Sequence, residues 1–370
     1  MTNRKTKIIV SGGGTGGHIF PAVSIANAYL KNYPDTEILF IGAEGKMEME
    51  KVPAAGYKIV GLPVIGMQRK LSLSMFTFIF KVYKSLRKAR KIIKEFKPDA
   101  VVGVGGYASG PALRAASSLK IPCLIQEQNS YAGITNKLLA KKAAKICVAY
   151  DNMDRFFPKS KIIKTGNPVR DDIKNIPNKS EEAFEFFGLY PDKPVIFIVG
   201  GSLGARTINE SIANDLKKIT DLGIQIIWQT GKTYFPQAQE LTKVLNSPNV
   251  FMSDFIYRMD LAYSAADIII SRAGASTISE LCIVGKPVIF VPSPNVAEDH
   301  QTKNAMALTE LNAALMISDI NAREQLVNEA ISLLSDNNKR ENLGKSIKKL
   351  ELPDAADVIA KEVHKLAYGE

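Results

Sequence analysis

Two glycine-rich turns and a few acidic and imidazole side chains carry the chemistry open to this chain. The first turn, Ser11-Gly12-Gly13-Gly14-Thr15-Gly16-Gly17-His18, follows the apolar run 7–10 and precedes a helix expected over 20–31, with Pro21 near its first turn. A strand that ends in glycines and enters a helix presents backbone N–H groups to a phosphate or admits a sugar to close approach. Gly12, Gly14 and Gly17 fit the spacing G-x-G-x-x-G, which is not specific by itself, because some of them can serve only the turn. His18 stands where the loop enters the helix, and a neutral imidazole there can take a proton from a hydroxyl or hold a sugar diphosphate. A structural histidine capping the loop is the competing reading. Glu127, just after the expected strand 122–126, is the rival base.

The stretch from Ala266 to Asn304 supplies the third feature. It reads as a buried strand (Ile268, Ile269, Ile270), a small-residue turn, a helix that Ser276 or Thr277 could cap, and a second buried strand that ends at Pro292. Glu280 falls one turn into that helix, while Leu281 and Ile283 can pack on the sheet. Its carboxylate therefore faces the mouth of the sheet, where it could accept two hydrogen bonds from a ribose diol. A surface glutamate favoured by the helix dipole would have the same spacing.

The elements that must position these groups alternate strand and helix, which predicts parallel sheets. The second glycine turn, Gly200-Gly201-Ser202-Leu203-Gly204-Ala205-Arg206, follows the strand 194–199 and opens a helix near Thr207. Two such openings predict an α/β chain of two Rossmann-like parallel-sheet domains with binding edges facing a shared cleft and a boundary near residue 165. Further strands are expected at 37–41, 99–104, 225–229 and 250–255, and the chain after Gln301 reads as helical apart from a break at Leu352-Pro353.

At 370 residues the chain is long for one core, and 46% hydrophobic with 23% charged residues is ordinary for a globular protein. Nothing in it reads as a signal peptide or a bilayer-spanning run. Cys123, Cys147 and Cys282 are odd in number and set in apolar surroundings, which suits buried thiols rather than disulfides or zinc. No D-x-D occurs, so no metal and no cofactor are expected. The net charge of +11 divides unevenly: residues 1–170 carry +18 and residues 171–370 carry −7. A basic half suits nucleic acid, an anionic membrane or phosphorylated substrates.

The long helix expected over 75–96 has a core face of Met75, Ile79, Val82, Leu86, Ala89, Ile93 and Phe96. It leaves Phe76, Phe80 and Tyr83 on an adjacent stripe among Arg69, Lys70, Lys81, Lys84, Arg87 and Lys88, which fits insertion at an anionic lipid interface. A packing neighbour could hide the same aromatics. Nucleic-acid binding would explain the charge but not paired sheets. A nicotinamide dehydrogenase would leave the second glycine turn unexplained, although Glu44 after the second strand supplies the acidic residue such a site wants.

Six segments, GGGTGGHIFPA, VGVGGYASGP, QEQNSYAGITNKLLA, TGNPVR, GGSLGARTIN and SRAGASTISELCIVGKPVIFVPSP with DHQTKNA, resemble in order those of the MurG family, the peptidoglycan N-acetylglucosaminyltransferases. The resemblance implies a GT-B fold and inverting transfer of N-acetylglucosamine from its UDP donor to the C4 hydroxyl of undecaprenyl-diphospho-N-acetylmuramoyl-pentapeptide. It also implies a last helix that returns to the first domain, so that residues 1–165 with 353–370 bind acceptor and membrane and 166–352 bind donor. The partners implied are the UDP-sugar, the lipid-linked diphospho-sugar and the anionic cytoplasmic face of the bacterial inner membrane, with no nucleic acid. By resemblance Glu280 binds ribose, the backbone of Ile256 reads uracil, Arg170 and Ser202 meet the nucleotide and diphosphate, and Gln301 meets the donor sugar. Asn129 with Thr15, Gly16 and Gly17 resembles the residues that meet sugar and acceptor. Where many members have two adjacent glutamines this chain has His300-Gln301, and His300 either replaces one contact or is a solvated histidine. A diacylglycerol glycosyltransferase or a UDP-sugar epimerase could share the fold and donor site.

Overall fold

The computed structural model describes residues 5–64, 74–201 and 203–369, without the side chains of residues 74–79 and 297. The chain divides into two compact units, Met1–Val169 with Leu352–Glu370, and Arg170–Glu351. Each is built on one parallel sheet with helices on both faces.

In the first unit the strands are β1 (Thr6–Ser11), β2 (Thr36–Ala43), β3 (Lys58–Leu62), β4 (Ala100–Gly103), β5 (Cys123–Glu127), β6 (Lys145–Val148) and β7 (Ile162–Lys164), in the order β3-β2-β1-β4-β5-β6-β7. The order reverses between β1 and β4, whose ends run level, Ser11 opposite Gly103. Such a switch point opens a crevice at the carboxyl ends of the strands, and the first glycine turn leaves from it. Ile8, Val10, Phe40 and Val102 bury one face of the sheet beneath the helices Gly16–Asn32 and Ala355–Tyr368. Ile9, Ile41, Val101 and Ile125 bury the other. A fully buried Ile contributes about 1.5–3 kcal/mol, so apolar runs such as KIIV hold the strands on both faces at once. The last helix is tied in by chemistry as well as area: His364 stacks on Tyr33 at 3.7 Å between ring centroids and its Nδ1 lies 3.1 Å from the Tyr29 hydroxyl.

The second unit repeats the plan with β8 (Val195–Val199), β9 (Gln225–Gln229), β10 (Val250–Ser253), β11 (Ile268–Ser271), β12 (Val288–Phe290) and β13 (Leu315–Met316), in the order β10-β9-β8-β11-β12-β13. Its switch point lies between β8 and β11, where Val199 pairs with Ser271. The second glycine turn and the turn before Glu280 therefore leave side by side.

Several local expectations are corrected. The first helix begins at Gly16 rather than Phe20, because the Thr15 carbonyl accepts from the N–H groups of His18 and Ile19. His18 thus sits inside its first turn. The helix that carries Glu280 spans Ala275–Val284 with Gly274 as N-cap, so neither Ser276 nor Thr277 caps it. Val82 is 37% exposed, and over residues 80–96, whose side chains are described, the helix Ser74–Phe96 meets the core from Ser85 onward, through Ala89 and Ile93; the side chains of Met75 and Ile79 lie outside the described residues. Leu315–Met316 adds an edge strand where unbroken helix was expected. Cys123, Cys147 and Cys282 are all buried and unpaired.

Candidate active site

In the first unit the imidazole of His18 is half-buried at the switch point. Its Nδ1 lies 3.2 Å from Thr15 Oγ1, which fixes the ring's rotation. The ring also packs against the next loop, since a Cβ at Gly105 would stand 2.9 Å from Nε2. Glu127 ends β5 only 1% exposed. Its Oε1 accepts from the Asn129 backbone N–H at 3.1 Å, and its Oε2 accepts from the Gly133 N–H at 3.0 Å and Asn136 Nδ2 at 2.8 Å. Burial raises its pKa, and these donors oppose the rise. The carboxylate thereby fixes the loop that presents Asn129. Around it the amides of Gln126, Gln128 and Asn167 satisfy one another and the carbonyls of Val104 and Gln128.

In the second unit Gln229, 2% exposed at the end of β9, joins two parts of the switch point. Its Nε2 donates to the Gly201 carbonyl at 3.0 Å, and its Oε1 accepts from the Ile256 N–H at 2.9 Å. The second glycine turn packs so closely on Thr230-Gly231 that a Cβ at Gly204 would stand 2.1 Å from the Thr230 carbonyl oxygen. Arg272 donates to the carbonyls of Val291 and Pro292 and pairs with Asp319 at 2.5 Å, while Asp319 accepts from Thr207 at 2.9 Å. The turns after β8, β10 and β12 are thus held by the side chains of Gln229 and Arg272.

Glu280 is held more loosely. The Tyr263 hydroxyl donates to its Oε2 at 3.3 Å, and Arg170 Nε stands 3.6 Å from Oε1 and 3.7 Å from Asp172. Its side chain is 17% exposed. Burial pushes its pKa up to about 7, against the pull of Arg170 and Tyr263. A carboxylate has room for about four hydrogen bonds, so these two partners leave it able to accept from hydroxyl donors. A cavity of about 780 Å³ opens elsewhere, near the starts of β11 and β12, but its cations already have partners. Lys179 pairs with Asp267 at 2.6 Å, and Lys286 donates to the carbonyls of Ser264 and Ala266.

Residues 8–148 match the glycosyltransferase family 28 N-terminal domain and residues 195–359 its C-terminal domain. A protein of Parabacteroides distasonis named UDP-N-acetylglucosamine--N-acetylmuramyl-(pentapeptide) pyrophosphoryl-undecaprenol N-acetylglucosamine transferase is 59% identical over 98% of this chain and 99% of its own. A protein of the same name from Phocaeicola vulgatus is 60% identical over 98% of this chain and 96% of its own. The crystal structure of Acinetobacter baumannii MurG superposes with a TM-score of 0.79 at 30% identity, covering 97% of this chain and 99% of that one. The chain belongs to the MurG family of glycosyltransferases. A UDP-N-acetylglucosamine 2-epimerase structure, at 16% identity and a TM-score of 0.64, shares the fold alone.

The candidate site residues distribute over the two units. Thr15, Gly16, Gly17, His18, Glu127 and Asn129 lie in the first, at the carboxyl ends of β1 and β5, and Arg170, Ile256 and Glu280 lie in the second, with the Ile256 N–H engaged by Gln229. Gln301 Oε1 accepts from the Ser293 N–H at 2.8 Å, which pins the turn after β12. Ser202 lies outside the described residues, as do Arg69, Lys70 and the side chain of Phe76. The His300 side chain is 19% exposed, and its Nε2 stands 3.9 Å from Glu298. The sequence reading missed Gln229, Arg272, Asp319 and Tyr263. Only Gln229 left a trace, as a polar residue ending an apolar strand.

The raised pKa of Glu280 has a sign that can be tested. The folded state holds this proton up to about pH 7, whereas an unfolded glutamate releases it near the usual 4.5. Folding stability is therefore undiminished at pH 4, falls as pH rises through that window, and carries the full cost above about 7. Glu280→Gln should melt above the wild type at pH 8 and level with it at pH 4.5, as read by thermal denaturation in the absence of nucleotide. Equal melting differences at both pH values would contradict the raised pKa.

Proposed function

We infer that this chain transfers N-acetylglucosamine from UDP-N-acetylglucosamine to the C4 hydroxyl of undecaprenyl-diphospho-N-acetylmuramoyl-pentapeptide, the step that forms lipid II in peptidoglycan synthesis. The observation that carries this reading is the 59–60% identity to transferases of that name over 98% of the chain. The second unit takes the donor: Glu280 accepts the ribose hydroxyls, the Ile256 backbone meets uracil, and Arg170 and Ser202 meet the phosphates, with Gln301 on the sugar. The first unit takes the acceptor. The C4 hydroxyl attacks the anomeric carbon from the face opposite UDP, gives its proton to His18, and displaces the diphosphate with inversion. The helix opening at Arg206 and the Arg170 guanidinium stabilise the charge that develops on the leaving group.

The geometry favours His18 over Glu127 as the group that handles the proton. Glu127 is sealed at 1% exposure and its oxygens already accept from the Asn129, Gly133 and Asn136 donors, which makes it the support of Asn129. His18→Ala should lower kcat by at least about 100-fold, the scale of a lost base or positioning group, with UDP affinity within about twofold. The assay follows transfer of labelled N-acetylglucosamine to the lipid-linked acceptor. Retained kcat in His18→Ala together with its loss in Glu127→Ala would reassign the role. Labelled diacylglycerol product, or an epimerised UDP-sugar without transfer, would favour the other enzymes of this fold.

The basic first unit suits a peripheral position on an anionic membrane that bears the acceptor. Among the described residues no helix is long and apolar enough to cross a membrane. Phe80 and Tyr83 are more than half exposed, with Lys84 over the Phe80 ring at 4.6 Å and Arg87 over the Tyr83 ring at 5.9 Å. Lys81 is exposed beside them. Binding to vesicles containing phosphatidylglycerol should weaken as salt rises and should fall further in Phe80→Ser/Tyr83→Ser. Equal binding to neutral and anionic vesicles would remove the lipid from the account of this helix.

A further inference from the structure

Glu48 belongs to the run Lys46-Met47-Glu48-Met49-Glu50, which reads as a solvated helix start. Its side chain instead turns inward and is 0% exposed. No cation lies within ion-pair distance of it among the described residues. Its Oε2 accepts from the Gly14 N–H at 2.8 Å and its Oε1 accepts from the Ala43 N–H at 2.9 Å, so one carboxylate bolts the first glycine turn to the end of β2. The surroundings are cut to fit it. A Cβ at Gly13 would stand 2.1 Å from Oε1, and one at Gly42 would stand 2.7 Å from Cγ. Both glycines are therefore required by the buried carboxylate rather than by their own backbone angles.

We propose that Glu48 is the positioning residue of the acceptor-side loop: it holds Gly13-Gly14 so that Thr15 and His18 are presented at a fixed place, and it acts on transfer only through that loop. The loop between Gly14 and the helix start is one residue long, so a shift at Gly14 passes directly to Thr15 and its partner His18. The same carboxylate engages the Gly14 N–H, the group a dinucleotide phosphate would seek in a G-x-G-x-x-G turn. Glu44, the acidic residue a dehydrogenase would need, is paired with Lys88 at 2.7 Å instead. This inference rests on the role given to the first glycine turn under Proposed function.

The test is a set of four variants, each assayed for transfer from UDP-N-acetylglucosamine to the lipid-linked acceptor, for UDP affinity and for melting temperature. Glu48→Gln keeps the shape but can accept from only one of the two N–H groups, and an error of about 1 Å at a catalytic group can cost about 100-fold. The expected result is a kcat at least about tenfold down, with the KM for UDP-N-acetylglucosamine and UDP affinity within about twofold. Gly13→Ala forces a methyl group onto the carboxylate and should lose a similar factor, while in Gly13→Ala/Glu48→Ala the two losses should not add, because the clash is gone. Additive losses, or a Glu48→Gln enzyme with wild-type kcat, would overturn the assignment. If Glu48→Gln keeps its kcat while His18→Ala loses it, the loop reading stands without Glu48; if neither loses it, the loop reading itself fails.

Discussion

A carboxylate taken out of water must be satisfied by hydrogen-bond donors or a cation, and Glu48, Glu127 and Glu280 are satisfied in different ways. Glu48 and Glu127 each accept from donors on both oxygens, with distances of 2.8–3.1 Å among them. Each fixes a loop from a sealed position, 0% exposed for Glu48 and 1% for Glu127. Glu280 has a tyrosine hydroxyl at 3.3 Å and a guanidinium at 3.6 Å, both long, and burial raises its pKa to about 7 against their pull. In the proposed donor site a ribose diol would add two donors to Glu280.

Much of the frame was legible from apolar runs alone. Segments such as VIFIV, QIIWQ and IIIS are too short and too continuous for anything but buried parallel strands, and β8, β9 and β11 lie where those runs are. Helix ends were less legible, because the Gly16 start is set by the Thr15 carbonyl and not by a capping side chain. Val82 was misplaced because periodicity cannot tell where along a long helix the sheet begins. Most hidden was Glu48, since a carboxylate in K-M-E-M-E has the local pattern of a solvated face. Its burial depends on two glycines far from it in sequence. Identities such as Ile256 and Gln301 came from family resemblance, whereas Glu280 at the sheet mouth followed from spacing.

The division of charge and the division of chemistry coincide. The half that carries +18 holds the turn with His18 and the exposed Phe80, Tyr83 and Lys84, features suited to a lipid diphosphate on an anionic surface. In the other half, at −7, Arg272 is spent on Asp319 and two carbonyls, while Arg170, the last residue of the +18 half, stands beside Glu280. One fold, used twice, thus carries two different distributions of charge, a strongly basic one in the first half and placed local pairs in the second.

The central claim is that Glu280 is the ribose-binding carboxylate and is poised near neutrality until the nucleotide arrives. Hydrogen bonds donated by the ribose hydroxyls favour its ionised form, so binding must lower its pKa and release protons. Calorimetry of UDP binding at pH 7 in buffers of different ionisation enthalpy counts those protons, and subtracting the same measurement on Glu280→Gln removes the nucleotide's own ionisation. A positive difference, a fraction of a proton released per UDP in the wild type only, is the predicted result. Identical proton release in the two proteins, with UDP bound equally well, would contradict it.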